Sequence, residues 1–258
     1  MTRLAAPLRA LTGFVLLLLL WQALVLTRWI PAEYFPGVPA IARAFVEQLG
    51  ARDFWSSEAL TVARAIGGLL LAAANAIAAA LLAARYRVVE RAFAPVVQIM
   101  LSLPPAALVP LSIFALGLGG ELFAFIIWFA CVWGIYVNAE NALRASEPLQ
   151  RITSRSFGYG QWETLLRVRL PAAMPEIFTG LRVAAAGSLM AAIAAEMLAG
   201  KDGLGFMLYD TAFSLQIPQM FALLAVAGFN GVLLNALIVG LRRRAAGWHD
   251  QLGALAQA

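Results

Sequence analysis

The chain has 258 residues, of which 62% are hydrophobic and only 13% are charged. Ordinary soluble domains are about 45–50% apolar and about 25% charged, so this composition excludes a water-soluble monomer. The net charge of +5 does not indicate nucleic-acid binding, because the basic residues flank apolar segments. A single cysteine, Cys131, excludes an internal disulfide and a cysteine metal cluster, and no metal site is expected.

Six stretches without charged residues predict an all-α integral membrane protein, since each bilayer-spanning helix needs about 20 apolar residues. The stretches are residues 11–27, 65–84, 92–120, 122–139, 183–195 and 211–241, the fifth extending to 177–198. The first resembles a secretory signal but has no cleavage pattern before Arg28, so we expect it to be retained. The third stretch holds four prolines, Pro95, Pro104, Pro105 and Pro110. An interior proline removes a backbone hydrogen bond, so the third span is predicted to be a broken helix.

The distribution of basic residues predicts the orientation of these spans. With the amino terminus in the cytoplasm, the inner segments hold 14 and the outer segments 5 of the 19 basic residues. The inner set is Arg3, Arg9, Arg85, Arg87, Arg91, Arg144, Arg151, Arg155, Arg167, Arg169, Arg182, Arg242, Arg243 and Arg244. The outer set is Arg28, Arg43, Arg52, Arg64 and Lys201. This is the positive-inside bias, so both termini are expected in the cytoplasm.

The spans and loops predict four regions along the chain. These are an amino-terminal span (1–30), an external loop with a short interfacial helix (31–60), a transmembrane core (61–245) and a cytoplasmic tail (246–258). The core contains one long cytoplasmic loop (144–176), in which Gly158 and Gly160 permit a sharp turn between two short helices. Pro171 is predicted to stop the second helix and Pro175 to begin the fifth span, making 170–175 a rigid hinge.

The apolar stripe of this loop has two interpretations. Its helices either lie on lipid headgroups, with arginine side chains reaching the phosphates, or dock into a groove on a separate cytoplasmic protein. Composition does not decide between them.

Several motifs in order resemble the EAA loop of binding-protein-dependent ABC importer permeases, and more narrowly the nitrate, sulfonate and taurine permease family. The loop motifs are residues 155–162 (RSFGYGQW), 170–175 (LPAAMP) and 179–182 (TGLR). The similarity continues through residues 35–36 (FP), 103–110 (LPPAALVP), 195–198 (AEML) and 203–205 (GLG), and covers roughly residues 35–245. In one departure, Ile152-Thr153-Ser154 stands where the family has Glu-Ala-Ala.

The resemblance implies the type I ABC importer permease fold with about six transmembrane helices, in a multi-pass protein of the bacterial inner membrane. It implies a homodimer of permeases, two copies of a cytoplasmic ATP-binding subunit that holds ATP and Mg, and an extracytoplasmic solute-binding protein. Such an assembly moves a small solute, by family an anion such as nitrate, taurine or a sulfonate, through alternating access. The residues implied in ATPase coupling are Arg155, Gly158, Tyr159 and Trp162 as a docking surface, with Leu170, Pro171 and Pro175 as a lever.

The residues themselves exclude nucleotide hydrolysis by this chain. A P-loop needs Gly-Lys-Ser/Thr, and the only lysine, Lys201, is followed by Asp202. The lone His249 lies outside the predicted spans, so no histidine-based catalytic or metal site can form in the membrane. We therefore expect no enzyme activity, no cofactor in this chain and no nucleic-acid partner, with membrane lipid around the spans.

Polar residues within the spans are candidates for the translocation path. We assign Asn75, Asn138, Glu196 and Asn235 to it, with Glu140, Asn141 and Asn230 as further candidates. Hydrogen bonding between helices is the alternative role for each. A secondary transporter independent of an ATPase is the alternative function. It would need mid-span charges and would not need the Gly158 loop.

Overall fold

The computed structural model describes residues 5–27, 31, 33–145, 152–154 and 156–255. Every regular element in that part of the chain is helical. In chain order these are α1 (Ala5–Leu26), α2 (Val38–Gly50), α3 (Arg52–Arg85), α4 (Arg87–Ser102), a 3-10 turn (Pro105–Leu108), α5 (Val109–Leu116), α6 (Gly120–Arg144), α7 (Gln161–Ala199), α8 (Leu204–Phe213) and α9 (Ile217–Leu255).

The long apolar helices occupy the positions of the predicted spans, which confirms the all-α membrane fold. Within the described residues α3, α6, α7 and α9 are long and apolar enough to cross a bilayer, and α4 with the segment Pro105–Leu116 makes a fifth if the bent pair is one span. The 22-residue helix α1 coincides with the first predicted span. The helix at the sixth predicted stretch begins later than expected. Residues 204–213 form the separate helix α8, and α9 begins only at Ile217.

The third span is broken as the prolines predict. α4 and the helical segment that follows it are bent by 92°. Pro104 lies in the break, while Pro105 and Pro110 occupy first-turn positions, where the missing N–H costs nothing. Pro95 lies inside α4, which continues past it. The break therefore follows the paired prolines rather than every proline in the stretch.

The segment predicted as an external loop is mostly helical. α2 packs against α9, and α3 begins at Arg52, so the irregular connection ends at Gly37. The side chain of Gln22 at the end of α1 accepts a hydrogen bond from the Val38 N–H at 2.9 Å. Trp21 stacks on Phe35 with ring centroids 4.4 Å apart. These contacts fix the angle at which the chain leaves the first helix.

The core lies where α3, α6 and α7 meet. One stripe of α3 is formed by small residues with at most 3% exposure. Its alanines are Ala65, Ala72, Ala76, Ala80 and Ala83. Gly68 on the same helix lies against Ile127, and a Cβ at Gly68 would overlap that side chain. Small residues let helices approach closely, which is how membrane helices gain packing energy without a hydrophobic driving force.

Pro171 does not stop a helix and Pro175 does not begin one, so the helix boundaries predicted within 170–175 are wrong. The helical segment α7 runs without interruption from Gln161 to Ala199. Residues Leu165–Arg169 form a π-helical turn, and the Leu170 N–H bonds the Leu165 carbonyl five residues back. We attribute the continuity to this wide turn, which makes room for a proline ring that has no N–H to donate. The second of the two predicted short helices therefore forms the first turns of α7.

The bundle has two ends, which we name after glycines with positive φ. At the Gly158 end, Tyr86 after α3 contacts Trp162 near the start of α7. At the Gly203 end, Thr61 of α3 bonds Glu196 near the end of α7. α7 therefore runs antiparallel to α3. α6 runs parallel to α3, because Phe123 near its start lies at Arg64 and Leu143 near its end bonds Arg169.

Candidate functional site

The Gly158 corner, residues 156–160, is a tight turn leading into α7. The N–H groups of Phe157 and Tyr159 donate to the carbonyls of Thr153 and Ser154 at 3.1 and 3.0 Å. Gly158 has φ of +79°, and no atom lies within 4 Å of the position that a Cβ would take, so backbone strain alone favours glycine there. The corner is closed by main-chain bonds to residues 153 and 154, within the segment where Ile152-Thr153-Ser154 stands in place of Glu-Ala-Ala.

Apolar side chains around this corner face outwards. Phe157 is 75% exposed and Ile152 is 63% exposed, with Tyr159 and Trp162 beside them also exposed. Exposed aromatic and aliphatic groups outside a bilayer span mark a surface for a partner or a membrane. The structure thus brings together Gly158, Tyr159 and Trp162 of the predicted docking surface. Arg155 lies outside the described residues.

The corner is fastened to the ends of two core helices. The Trp162 ring meets the Tyr86 ring edge-on at 6.3 Å, and Leu165 is fully buried beneath it. The Arg169 guanidinium donates from Nε to the Leu143 carbonyl at 3.1 Å, and Nη2 donates to the same oxygen. These contacts join the corner and the start of α7 to the ends of α3 and α6.

Glu196 is the centre of a buried cluster at the Gly203 end, which we call the Glu196 clasp. It consists of Glu196, Thr61, Arg64, Asp202 and the turn from Gly203 to Gly205. Glu196 has no exposed surface. Its carboxylate accepts from Thr61 Oγ1 and Arg64 Nη1, both at 2.8 Å, and from the Gly205 N–H at 3.0 Å. The clasp joins the end of α7 to α3 and to the start of α8.

Further bonds complete the clasp. Thr61 Oγ1 accepts from the Leu204 N–H at 2.8 Å, and Arg64 Nη2 reaches Asp202 Oδ1 at 2.8 Å. The Arg64 guanidinium also lies 3.9 Å from the centre of the Phe123 ring on α6. The turn needs its glycines: Gly203 has φ of +92°, and a Cβ there would collide with the Glu196 carboxylate. Every strong donor facing Glu196 is thus satisfied within the protein, which fits a structural role.

The other path candidates make local or interhelical hydrogen bonds. Asn75 is exposed and donates to the Leu71 carbonyl one turn back, and Asn138 does the same with Gly134, each at 2.8 Å. Asn235 on α9 accepts from Arg182 Nε on α7 at 2.6 Å. Among the described hydrogen bonds, Asn75, Asn138, Glu196 and Asn235 have different partners and none joins two of the four. Their role in translocation stays a prediction.

Two of the further candidates do line a common cavity of about 460 Å³ near the Gly158 end, between α4 and α6. Glu140 and Asn141 contribute to it together with Arg144. Arg144 bonds Glu140 at 3.0 Å within α6 and forms an ion pair with Glu90 of α4. Asn230, the remaining candidate, does not line this cavity and donates to Glu58 of α3 at 3.0 Å. Such bonds tie neighbouring helices together, as the alternative role predicts.

Sequence reasoning missed the partners of Glu196. Thr61 and Arg64 lie three residues apart, which places them on one face of a helix and was the available signal. Nothing in a single sequence relates that face to a carboxylate more than 130 residues later. Tyr86 and Leu143 at the Gly158 end were missed for the same reason.

Residues 76–246 match the family model described as binding-protein-dependent transport system inner membrane component. The matched range is more than half of the chain and includes the Gly158 corner and Glu196. The chain belongs to this family. It is a membrane component of the ABC importer type, and the family resemblance carried by the loop motifs is confirmed.

Two relatives show the range of the similarity. The nitrate import permease protein NrtB of Leptolyngbya laminosa is 31% identical over 185 residues, covering 72% of this chain and 66% of the relative. The bicarbonate transport system permease protein CmpB of Synechococcus elongatus is 29% identical over 191 residues, covering 74% of this chain and 68% of the relative. This chain therefore matches slightly under two thirds of the length of the nitrate permease.

The fold is shared with a solved transporter. The structure of the MetNI methionine ABC transporter in inward-facing conformations matches with a TM-score of 0.58 at 18% identity. The match covers 75% of this chain and 94% of that chain. At this identity the likeness shows the fold alone, and it confirms the type I permease architecture.

Proposed function

We propose that this chain is the permease subunit of an ATP-driven importer that carries a small anion into the cytoplasm by alternating access. An extracytoplasmic binding protein delivers the solute, a second permease copy completes the translocation path, and two ATP-binding subunits supply the energy. Family membership supports the assembly, and the named activities of the nitrate and bicarbonate relatives support a small oxyanion as the solute.

The Gly158 corner is the observation that carries this proposal. It presents exposed Phe157, Tyr159 and Trp162 at the start of the 39-residue helical segment α7. A helix of this length transmits an end displacement through the membrane, because its backbone hydrogen bonds resist bending. The ATP-binding subunits dock at the corner, and their closure moves α7 as a lever. Gly158, Tyr159 and Trp162 form the docking surface, together with Arg155.

The charge distribution supports a cytoplasmic position for that end. Arginines cluster at the Gly158 end, where Arg85, Arg87, Arg91, Arg144, Arg167 and Arg169 all lie. Fewer basic residues, Arg43, Arg52, Arg64 and Lys201, lie at the Gly203 end. By the positive-inside rule, the Gly158 end and both termini face the cytoplasm of the bacterial cell, and the Gly203 end faces the binding protein.

Reconstitution tests the assembly and the solute class together. Proteoliposomes containing the permease and its ATP-binding subunits, supplied with the binding protein, should accumulate labelled nitrate, bicarbonate or a small sulfonate only with ATP. The matched control omits the ATP-binding subunits and should show no accumulation. Accumulation that persists without those subunits, driven by an ion gradient, would instead support the secondary-transporter alternative.

A further inference from the structure

Arg182 is a charged residue exposed within the membrane-spanning segment of α7. The nearest charged residues along the sequence are Glu176 and Glu196. The Arg182 Nε donates a 2.6 Å hydrogen bond to Asn235 Oδ1 on α9. Asn235 precedes Arg242, the first of three consecutive arginines on α9, by seven residues. The bond therefore holds the guanidinium about 10 Å inside those arginines along the helix axis.

The remaining donors of this pair are not matched by acceptors. Among the described residues, the Nη groups of Arg182 and the Nδ2 group of Asn235 have no hydrogen-bond partner, and no carboxylate lies within ion-pair distance of Arg182. One amide oxygen is a small share of what a guanidinium with five N–H donors can bind. The pair thus presents hydrogen-bond donors and a positive charge, which is the complement of an oxyanion.

The face of α7 that carries Arg182 is open to its surroundings. Thr179, Arg182 and Ala186 recur at helical spacing and are all exposed, with Val183 and Met190 beside them. A charged side chain inside a bilayer faces a water-filled cavity, an opposite charge or main-chain carbonyls, because hydrocarbon solvates it poorly. The described residues offer Arg182 no opposite charge, so this face belongs beside water.

We infer that Arg182 contacts the transported oxyanion within the membrane, and that Asn235 positions its guanidinium. The inference rests on the proposed function, since an anion passes this depth only if the chain imports one. Guanidinium groups bind two oxygens of one anion through paired N–H donors, and nitrate, bicarbonate and sulfonates all present such oxygens. A contact of this kind attracts the solute and still releases it, as a path requires.

Cysteine labelling of the assembled transporter in nanodiscs tests this contact without transport. In a Cys131→Ala background, Ala186→Cys lies one turn from Arg182 and should react with a membrane-impermeant anionic methanethiosulfonate, since the reactive thiolate forms only in water. Nitrate, bicarbonate or methanesulfonate, compared with gluconate at the same ionic strength and pH, should slow this reaction several-fold. Leu17→Cys, exposed on the leucine-rich side of α1, is the control for lipid-facing positions and should not react.

Arg182→Gln should abolish the protection by added anions and lower ATP-driven uptake in proteoliposomes at least tenfold. Arg167→Gln, which removes the same charge from an exposed position at the Gly158 end of α7, should leave both unchanged. Should Arg182→Gln fail to fold, Asn235→Asp provides the second variant. Its carboxylate still accepts from Arg182 but cancels the positive charge, so protection should again be lost.

The outcomes separate this inference from the proposed function. An unreactive Ala186→Cys would place this face against lipid and overturn the inference, as would the absence of protection by all three anions or protection that survives Arg182→Gln. Equal ATP-driven uptake by the unmodified transporter and Arg182→Gln would overturn the inference and leave the proposed function intact. Protection that depends on Arg182, without ATP-driven uptake by the unmodified transporter, would support the anion contact and contradict the proposed function.

Discussion

Gly180 of α7 lies directly against Asn138 of α6, so closely that a Cβ on Gly180 would be 2.7 Å from Cβ of Asn138. The contact is part of the packing between these two helices. It gives a structural reason for glycine within the TGLR motif at 179–182. It also explains why Asn138, although polar, is half-buried and bonded to its own helix.

Gly180→Ala should destabilise the protein by about 1–3 kcal/mol, since an added methyl in a tight contact forces the helices apart. Gly187→Ala on the same helix is the matched control, because a Cβ there meets no atom within 4 Å. Equilibrium unfolding in mixed detergent micelles measures both free energies. Equal free energies of unfolding for the two variants would show that α6 and α7 are not in tight contact at Gly180.

Removing the Glu196 carboxylate should be more damaging than removing its surface counterpart. Glu196→Ala leaves the Arg64 guanidinium and the Gly205 N–H without their acceptor, and losing one partner of a buried pair costs about 3–5 kcal/mol. Asp202 binds the same arginine but its side chain is 57% exposed. Asp202→Asn should therefore cost less than about 1 kcal/mol. Similar losses for both variants, measured by the same unfolding assay, would contradict the central position of Glu196 in the clasp.

Spin labels can test whether α7 is one rigid helix across Pro171 and Pro175. In a Cys131→Ala background, labels at Leu166→Cys and Val183→Cys should be separated by about 25 Å of helix, given a rise of about 1.5 Å per residue. Pulsed electron resonance should give one narrow distance distribution within each protomer, unchanged when the assembled transporter binds ATP. A pair on α6, Glu121→Cys with Asn141→Cys, controls for label motion. A second distance that appears for the α7 pair and not for the α6 pair would show that α7 bends at its prolines.

The spans were predictable because each is a long charge-free stretch, a local property of the sequence. The corner was predictable from Gly158, whose positive φ few other residues tolerate. The continuation of α7 through Pro171 was not predictable, because the π-helical turn before Pro171 depends on backbone geometry that residue types do not reveal. Glu196 was assigned to the translocation path, which stays a prediction. Its partners Thr61 and Arg64 come from α3, and a single sequence holds no record of contacts between distant segments.

Labelling from the two sides of the membrane tests the orientation. In the same Cys131→Ala background, Ser156→Cys at the Gly158 corner should react with a membrane-impermeant maleimide only after cells are permeabilised. Asp202→Cys, exposed at the Gly203 end, should react in cells with only the outer membrane opened. The two residues are both exposed and differ in the end of the bundle that they occupy. The reverse pattern would place the corner outside the cell.

The most direct test of the central claim measures ATP hydrolysis and solute accumulation together in proteoliposomes carrying Gly158→Val. Gly117→Val is the matched control, since Gly117 also has a positive φ, +73°, with no atom within 4 Å of its Cβ position, but lies between α5 and α6. Each variant places a valine at a positive φ and so introduces backbone strain in one turn. If the corner transmits force from the ATP-binding subunits, Gly158→Val should lose at least tenfold in solute moved per ATP hydrolysed, and Gly117→Val should stay near the unmodified protein. Equal coupling in the two variants would contradict the account.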